Sequence, residues 1–268
     1  MAKKTSFSCA YTFFFVPLSR NLTFRKMVII FDLDGTLINT IDDLGQACNH
    51  ALAACGFPTH KIEDYPRLVG NGINRLIERA LPEEHRNEQT VLRIREYFVP
   101  FYDKHNCNLT RPYEGITELL HALKSEGHYL AVASNKYQAA TEKIVAQLFP
   151  SMFDVVLGER ENVARKPDPQ IIYDVIKNYE LRIENDANNE IQQPYLADAQ
   201  IQHSKFNIQN CLYVGDSLVD ANTARAAGCT LVLCTWGFEK KEHLSAFEPD
   251  YLINHPKEII EIVHSFKK

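Results

Sequence analysis

Residues 27–36 read MVIIFDLDGT, an apolar, β-branched run that stops at two carboxylates and a glycine. A short run of this kind, bounded by turn residues, predicts a strand buried on both faces. Asp32 and Asp34 stand two residues apart, so at a strand end both carboxylates can face one site. Gly35 permits a tight turn, and Thr36 supplies a hydroxyl and an amide suited to a phosphate oxygen. Taken alone, the pair equally suits an ordinary turn or a metal loop.

Working outward, four more runs have the same form: 129–135 (YLAVASN), 153–159 (FDVVLGE), 210–217 (NCLYVGDS) and 230–237 (TLVLCTWG). Between them lie helical patterns at 115–127, 138–149, 169–179 and 219–228, with Gly127 and Gly228 as C-terminal stops. Strands alternating with helices predict an α/β fold with a mostly parallel sheet covered on both faces. In such sheets ligands bind at the carboxyl ends of the strands, where all these polar tips fall.

Residues 41–108 break the alternation. They read as helix after helix (41–56, 72–81, 85–105) without a convincing strand, which predicts a separate helical lobe. The lobe leaves the sheet directly after the first strand's tip and is therefore placed to close over it and exclude water. Residues 182–210 carry ten Asn and Gln with little apolar periodicity and are expected to form an exposed polar insertion. Domain boundaries follow: an extension at 1–26, a core of 27–40 and 109–268, and a lobe of 41–108.

The chain has 268 residues, 45% of them hydrophobic and 24% charged, enough for a sizeable core. Its net charge of −5 comes without a long basic block, so a nucleic-acid footprint is missing and a small anionic substrate must be gripped locally. No apolar run reaches the roughly 20 residues of a bilayer span. The first 26 residues hold five basic groups and no acids, and they lack a small-residue cleavage site after the apolar run 11–18. Translation is therefore expected to begin at Met27, with the preceding residues dispensable. The seven cysteines are odd in number and widely spaced, which suits reduced thiols in a cytoplasmic protein better than a disulfide framework or a zinc site.

Three further groups sit at the predicted strand tips or in nearby loops. Ser134 and Asn135 offer a hydroxyl and an amide to a phosphate, or alternatively a cap for the next helix. Lys166, between Arg165 and Pro167 in ARKPDPQ, is a compact point charge in a loop stiffened by Pro167 and Pro169, with Asp168 able to cap the helix that follows. Asp216 and Asp220 follow a strand in GDSLVD. Together with Asp32 they make an oxygen-rich set of the kind magnesium prefers, although Asp216 also suits a helix N-cap.

In this order the four elements FDLDGT, VASNK, KPDP and GDSLVD resemble the motifs of the haloacid dehalogenase superfamily, over nearly all of residues 27–268. The resemblance implies a Rossmann-like parallel core with an inserted small α-helical cap. It also implies that Asp32 is the nucleophile that forms an aspartyl-phosphate and that Asp34 is the general acid and then the base. Thr36, Ser134, Asn135 and Lys166 are implied to hold the phosphoryl group. Magnesium is implied to lie on Asp32, the backbone carbonyl of Asp34 and Asp216, with Asp220 supporting. A second carboxylate at Asp34 implies phosphate esters rather than haloacids. The segment 68–81 (LVGNGINRLIERAL) is similar to the cap loop of the phosphoglycolate phosphatase group. By that likeness Gly70 and Gly72 let amides approach the substrate, and Arg75 or Arg79 meets its carboxylate. The expected partner is a small phosphorylated metabolite, 2-phosphoglycolate first, handled by a monomer or homodimer. A sugar phosphatase, phosphoglucomutase or pyrophosphatase on the same fold stays open, as does a non-catalytic phosphate-sensing scaffold. The interval from Lys166 to Gly215 is about twice what the resemblance leads one to expect, which leaves the elements inside it undefined.

Overall fold

The computed structural model describes residues 25–188 and 206–266. Most of the expected N-terminal extension and the middle of the polar segment lie outside them. In chain order the elements are β1 (Val28–Phe31), β2 (Ile38–Asn39), α1 (Ile41–Ala54), α2 (Ile73–Ala80), α3 (Glu88–His105) and β3 (Arg111–Pro112). Next come α4 (Ile116–Ser125), β4 (Tyr129–Tyr137), α5 (Gln138–Leu148), β5 (Val155–Glu159) and α6 (Gln170–Asn188). The chain closes with β6 (Cys211–Gly215), α7 (Leu218–Ala227), β7 (Thr230–Cys234), α8 (Lys241–Ala246), β8 (Tyr251–Ile253) and α9 (Glu258–Ser265).

Six strands form one parallel sheet in the order β5-β4-β1-β6-β7-β8. The central strand β1 shows why the sequence reads as doubly buried. Its odd residues Ile29 and Phe31 pack with α4, α5 and α9, while Val28 and Ile30 pack with α6, α7 and α8. The strand period of two thus feeds two separate apolar layers. Register then sets the site: Phe31 pairs with Val132 on β4 and with Val214 on β6. Asp32 follows Phe31 directly, and Ser134 and Asp216 lie two residues beyond their partners, so all three meet at one sheet edge.

Helices α1, α2 and α3 share a third apolar cluster around Leu44, Leu52, Tyr65, Leu76, Phe98 and Tyr102. The chain enters this helical layer after β2 and leaves it before β3, and those two short strands pair antiparallel. Asp43, 1% exposed at the start of α1, accepts the amides of Leu109 and Thr110 and the Thr110 hydroxyl. Outgoing and returning chain are thereby tied side by side. Strands of two residues have no periodicity to read, which is why this ribbon escapes sequence analysis.

Two expectations change. The polar segment does not begin at Arg182, because α6 continues to Asn188. Ile171, Ile172, Val175 and Ile176 pack the helix onto the sheet, and Phe206 returns edge-on to Tyr179 with ring centroids 5.4 Å apart. Helix extension thus accounts for part of the long Lys166 to Gly215 interval. Strand β4 also runs past Asn135 to Tyr137, with a register irregularity after Ala133, and passes straight into α5. Ser134 and Asn135 are therefore strand residues and not helix caps. Among the described residues no helix is long and apolar enough to cross a membrane, and all six described cysteines are unpaired.

Candidate active site

Asp32 stands at the mouth of β1 with its side chain 12% exposed, and its Oδ1 accepts from Lys166 Nζ at 2.8 Å. No side chain among the described residues donates to its Oδ2. Lys166 is 5% exposed and spends all three ammonium hydrogens on Asp32, on Asp220 Oδ1 at 2.8 Å and on the Tyr213 hydroxyl at 3.0 Å. Burial works against its charge, but Asp220 and Asp32 outweigh that and hold Lys166 well above the ordinary lysine range. The backbone of Lys166 is fixed by Asn135, whose amide donates to the lysine carbonyl at 3.0 Å and accepts from its N–H at 2.9 Å. Asn135 therefore positions Lys166 instead of offering its amide to a phosphate. Asp168 accepts from Gln170 N at 2.9 Å and starts α6 as expected.

Asp216 is 2% exposed and accepts from Phe238 N at 2.7 Å and from the Thr36 hydroxyl at 3.2 Å. The Thr36 hydroxyl is thus directed at Asp216 and its backbone amide donates to the Leu33 carbonyl at 3.3 Å, so this buried residue shapes the loop and does not offer a donor to a phosphate oxygen. Asp216 is walled in by two glycines, since a Cβ at Gly35 or at Gly237 would lie 2.3 Å from Asp216 atoms. Its helix is capped by Ser217 instead, which accepts from Asp220 N at 3.3 Å. Asp220 has both oxygens engaged, by Lys166 and Tyr213 on one and by Ser217 at 2.5 Å on the other, so it supports the site as much as it faces it. Trp236 closes the rear by donating Nε1 to the Thr36 carbonyl at 3.0 Å.

Asp32, Asp216 and Asp220 bring carboxylate oxygens within 4.8 Å of one another. Burial pushes the Asp32 carboxyl up to about 7, with Lys166 opposing and Asp220 and Asp34 adding to the rise. Asp216 is raised as well, by burial first and then by Asp220 and Asp32. Buried acids this close together ionise more readily when a positive charge lies among them. Four carboxylates face two lysines, a deficit of two charges when all are ionised, and an all-oxygen donor set fits a hard divalent cation. Stability should follow. A carboxyl whose folded value is raised keeps in the native state a proton that the unfolded chain has released, so in chelator its contribution is lost as pH climbs from about 4 through about 7. A divalent cation displaces that proton, so its stabilising effect should grow over the same window. Thermal melts at pH 5 and pH 8, with and without the cation, check this; an equal shift at both would contradict it.

Asp34 is held by a residue that sequence analysis passed over. Lys136 Nζ lies 2.8 Å from both Asp34 oxygens, with its side chain 4% exposed. It stands two residues after Ser134 on β4, so the strand period was the available signal. Tyr102 of α3 presents its ring 5.1 Å from the ammonium.

A cavity of about 920 Å³ opens over these groups, lined by Asp32, Asp34, Ser134, Lys166 and Asp216 below and by residues of the helical layer above. Its upper wall includes Gly70, Asn71 and Gly72, consecutive residues with φ of 104°, 63° and 82°. Left-handed backbone at three successive positions explains the two glycines there. The arginines depart from expectation. Arg75 pairs with Glu78 at 2.6 Å, is 61% exposed and does not line the cavity. Arg79 lines it, but its Nη1 donates to the carbonyls of Leu68, Val69 and Gly70 at 3.0 to 3.3 Å. It braces the loop and is not directed at a ligand.

A family model described as haloacid dehalogenase-like hydrolase matches residues 29–234. The chain is 31% identical over 233 residues to the phosphoglycolate phosphatase of Mesorhizobium japonicum, covering 86% of this chain and 91% of that one. It is 29% identical to the phosphoglycolate phosphatase of Aquifex aeolicus, over 88% and 96% of the two chains. Among solved structures, a predicted phosphoglycolate phosphatase from Haemophilus somnus superposes with a TM-score of 0.71 at 26% identity, covering 88% of this chain and 97% of its own.

Proposed function

The chain belongs to the haloacid dehalogenase-like hydrolase family, and from that premise we propose that it is a magnesium-dependent phosphomonoesterase whose substrate is 2-phosphoglycolate. The observation that carries the reaction is the meeting of Asp32, Asp34, Lys166 and Asp216 at one strand edge beneath the cavity. Asp32 attacks phosphorus, the ester P–O bond breaks, and Asp34 gives its proton to the leaving alkoxide. Water then attacks the aspartyl-phosphate, its proton passes to Asp34, and the Asp32–phosphorus bond breaks. The Ser134 hydroxyl, and the Lys166 hydrogen that Asp32 gives up once it is phosphorylated, hold the phosphoryl oxygens. Asp32, Asp216 and the Asp34 carbonyl, with Asp220 supporting, would hold magnesium, which would supply positive charge to the transferring group. Residues 41–108 act as a cap that closes over the site, turning on the paired β2 and β3.

The named relatives support 2-phosphoglycolate, as does the placement of the 70–72 loop over the motif residues. The cavity volume favours one second reading, a hexose phosphatase, because about 920 Å³ is far more than so small a ligand fills. A panel of phosphate monoesters assayed with magnesium separates the two. 2-Phosphoglycolate should give the highest kcat/KM, and chelator should abolish turnover of every ester. Preference for a hexose phosphate would overturn the substrate assignment.

A further inference from the structure

With both arginines of α2 committed elsewhere, another cation has to read the charge on the alcohol half of the substrate. Among the described residues the cationic side chains lining the cavity are Arg67, Arg79, Lys136, Lys166, Lys240 and His243. Arg67 is 72% exposed and pairs with Asp64, while His243 pairs with Glu239 at 2.8 Å. Arg79 holds three carbonyls, and Lys166 has each of its three hydrogens engaged. Lys240 is exposed. Lys136 differs from all of these. It is 7% exposed, Asp34 takes two of its hydrogens, and one N–H is left to donate.

We propose that Lys136 is the specificity-determining residue of the cavity, donating its remaining N–H to a carboxylate on the leaving group. The substrate class is then the phosphate esters of α-hydroxy acids. The inference rests on the assignment of Asp34 as the group that protonates the ester oxygen. That oxygen lies within hydrogen-bond distance of Asp34, and Lys136 Nζ is itself 2.8 Å from both Asp34 oxygens. A carboxylate one carbon away from the ester oxygen therefore falls within reach of the ammonium. The lysine is held for this task. Its amide donates to Ser134 Oγ at 3.3 Å, its carbonyl accepts from the Thr141 hydroxyl at 3.1 Å, and the buried Tyr102 ring lies 5.1 Å from its charge. A desolvated ammonium over an aromatic face attracts a second anion more strongly than an exposed one does.

The test compares kcat/KM for 2-phosphoglycolate with that for isobutyl phosphate, which replaces the carboxylate by an uncharged group of similar shape. In Lys136→Met the ratio should fall about 10- to 100-fold, as expected for loss of one charge-assisted hydrogen bond, chiefly through KM for 2-phosphoglycolate. Lys136→Arg should keep most of the preference. If Lys136→Met lacks a cooperative melt, Lys136→Gln, which keeps a donor to Asp34 without the charge, is read on the same ratio. A ratio unchanged in the charge-removing variant overturns the inference and leaves the substrate assignment standing. A parent enzyme that prefers hexose phosphates, yet discriminates between the two test esters through Lys136, overturns the assignment and the substrate class and leaves standing only the role of Lys136 in reading a carboxylate. A parent that does not discriminate between them overturns both.

Discussion

Replacing Asp32 by Asn should lower turnover of the preferred phosphate ester by roughly four orders of magnitude or more, the scale on which removing a nucleophile acts. It should do so without unfolding the protein. The exchange keeps the side chain's shape and removes a buried carboxyl that burial already pushes up to about 7. Lys166 keeps Asp220 as its counter-ion. In chelator the variant should therefore melt at or above the parent's temperature. Rapid-quench trapping should find phosphorylated protein in the parent and none in the variant. Retention of more than a few per cent of activity would remove Asp32 from the covalent role.

Lys166→Met should be as inactive for a different reason, and it should also be unstable. The lysine is the charge shared by Asp32 and Asp220, and breaking a buried pair by removing one partner costs roughly 3–5 kcal/mol. The cost should shrink towards pH 5, because the stranded carboxyls can escape it by taking protons. Urea denaturation at two pH values measures this. A variant as stable as the parent at pH 8 would mean that water reaches the carboxylates and that the site is less closed than its burial indicates. The contrast between the two variants separates loss of a reacting group from loss of the charge that lets acids be buried.

The sheet is legible in the sequence because each of its five longer strands is a short apolar run with a polar tip, and burial on both faces leaves no other use for such runs. Strand β8 was missed because three residues after a loop carry little pattern. Asp32, Asp34 and Asp216 were legible for the same reason as the sheet, since their positions follow from strand ends and parallel register, whereas Lys166, in the loop after β5, was read from its flanking prolines and the order of the motifs. The arginines of α2 show the limit. A sequence places Arg75 and Arg79 on a helix near a loop, but the rotation of that helix and the needs of the loop's own carbonyls are tertiary facts. Lys136 shows the opposite failure: reading the strand as ending at Asn135 hid a residue that the period of two places beside Ser134.

The chain's only tryptophan is Trp236, whose indole N–H is bonded to the backbone of the loop that follows Asp32, next in sequence to the glycine that walls Asp216. Indole emission shifts with the polarity and electric field around the ring. A cation drawn in among Asp32, Asp216 and Asp220, or a cap closing above them, alters that field within a few residues of the fluorophore. The protein therefore carries its own optical probe beside these three carboxylates, and the addition of magnesium or of a phosphate ester can be followed in the unlabelled protein by stopped flow.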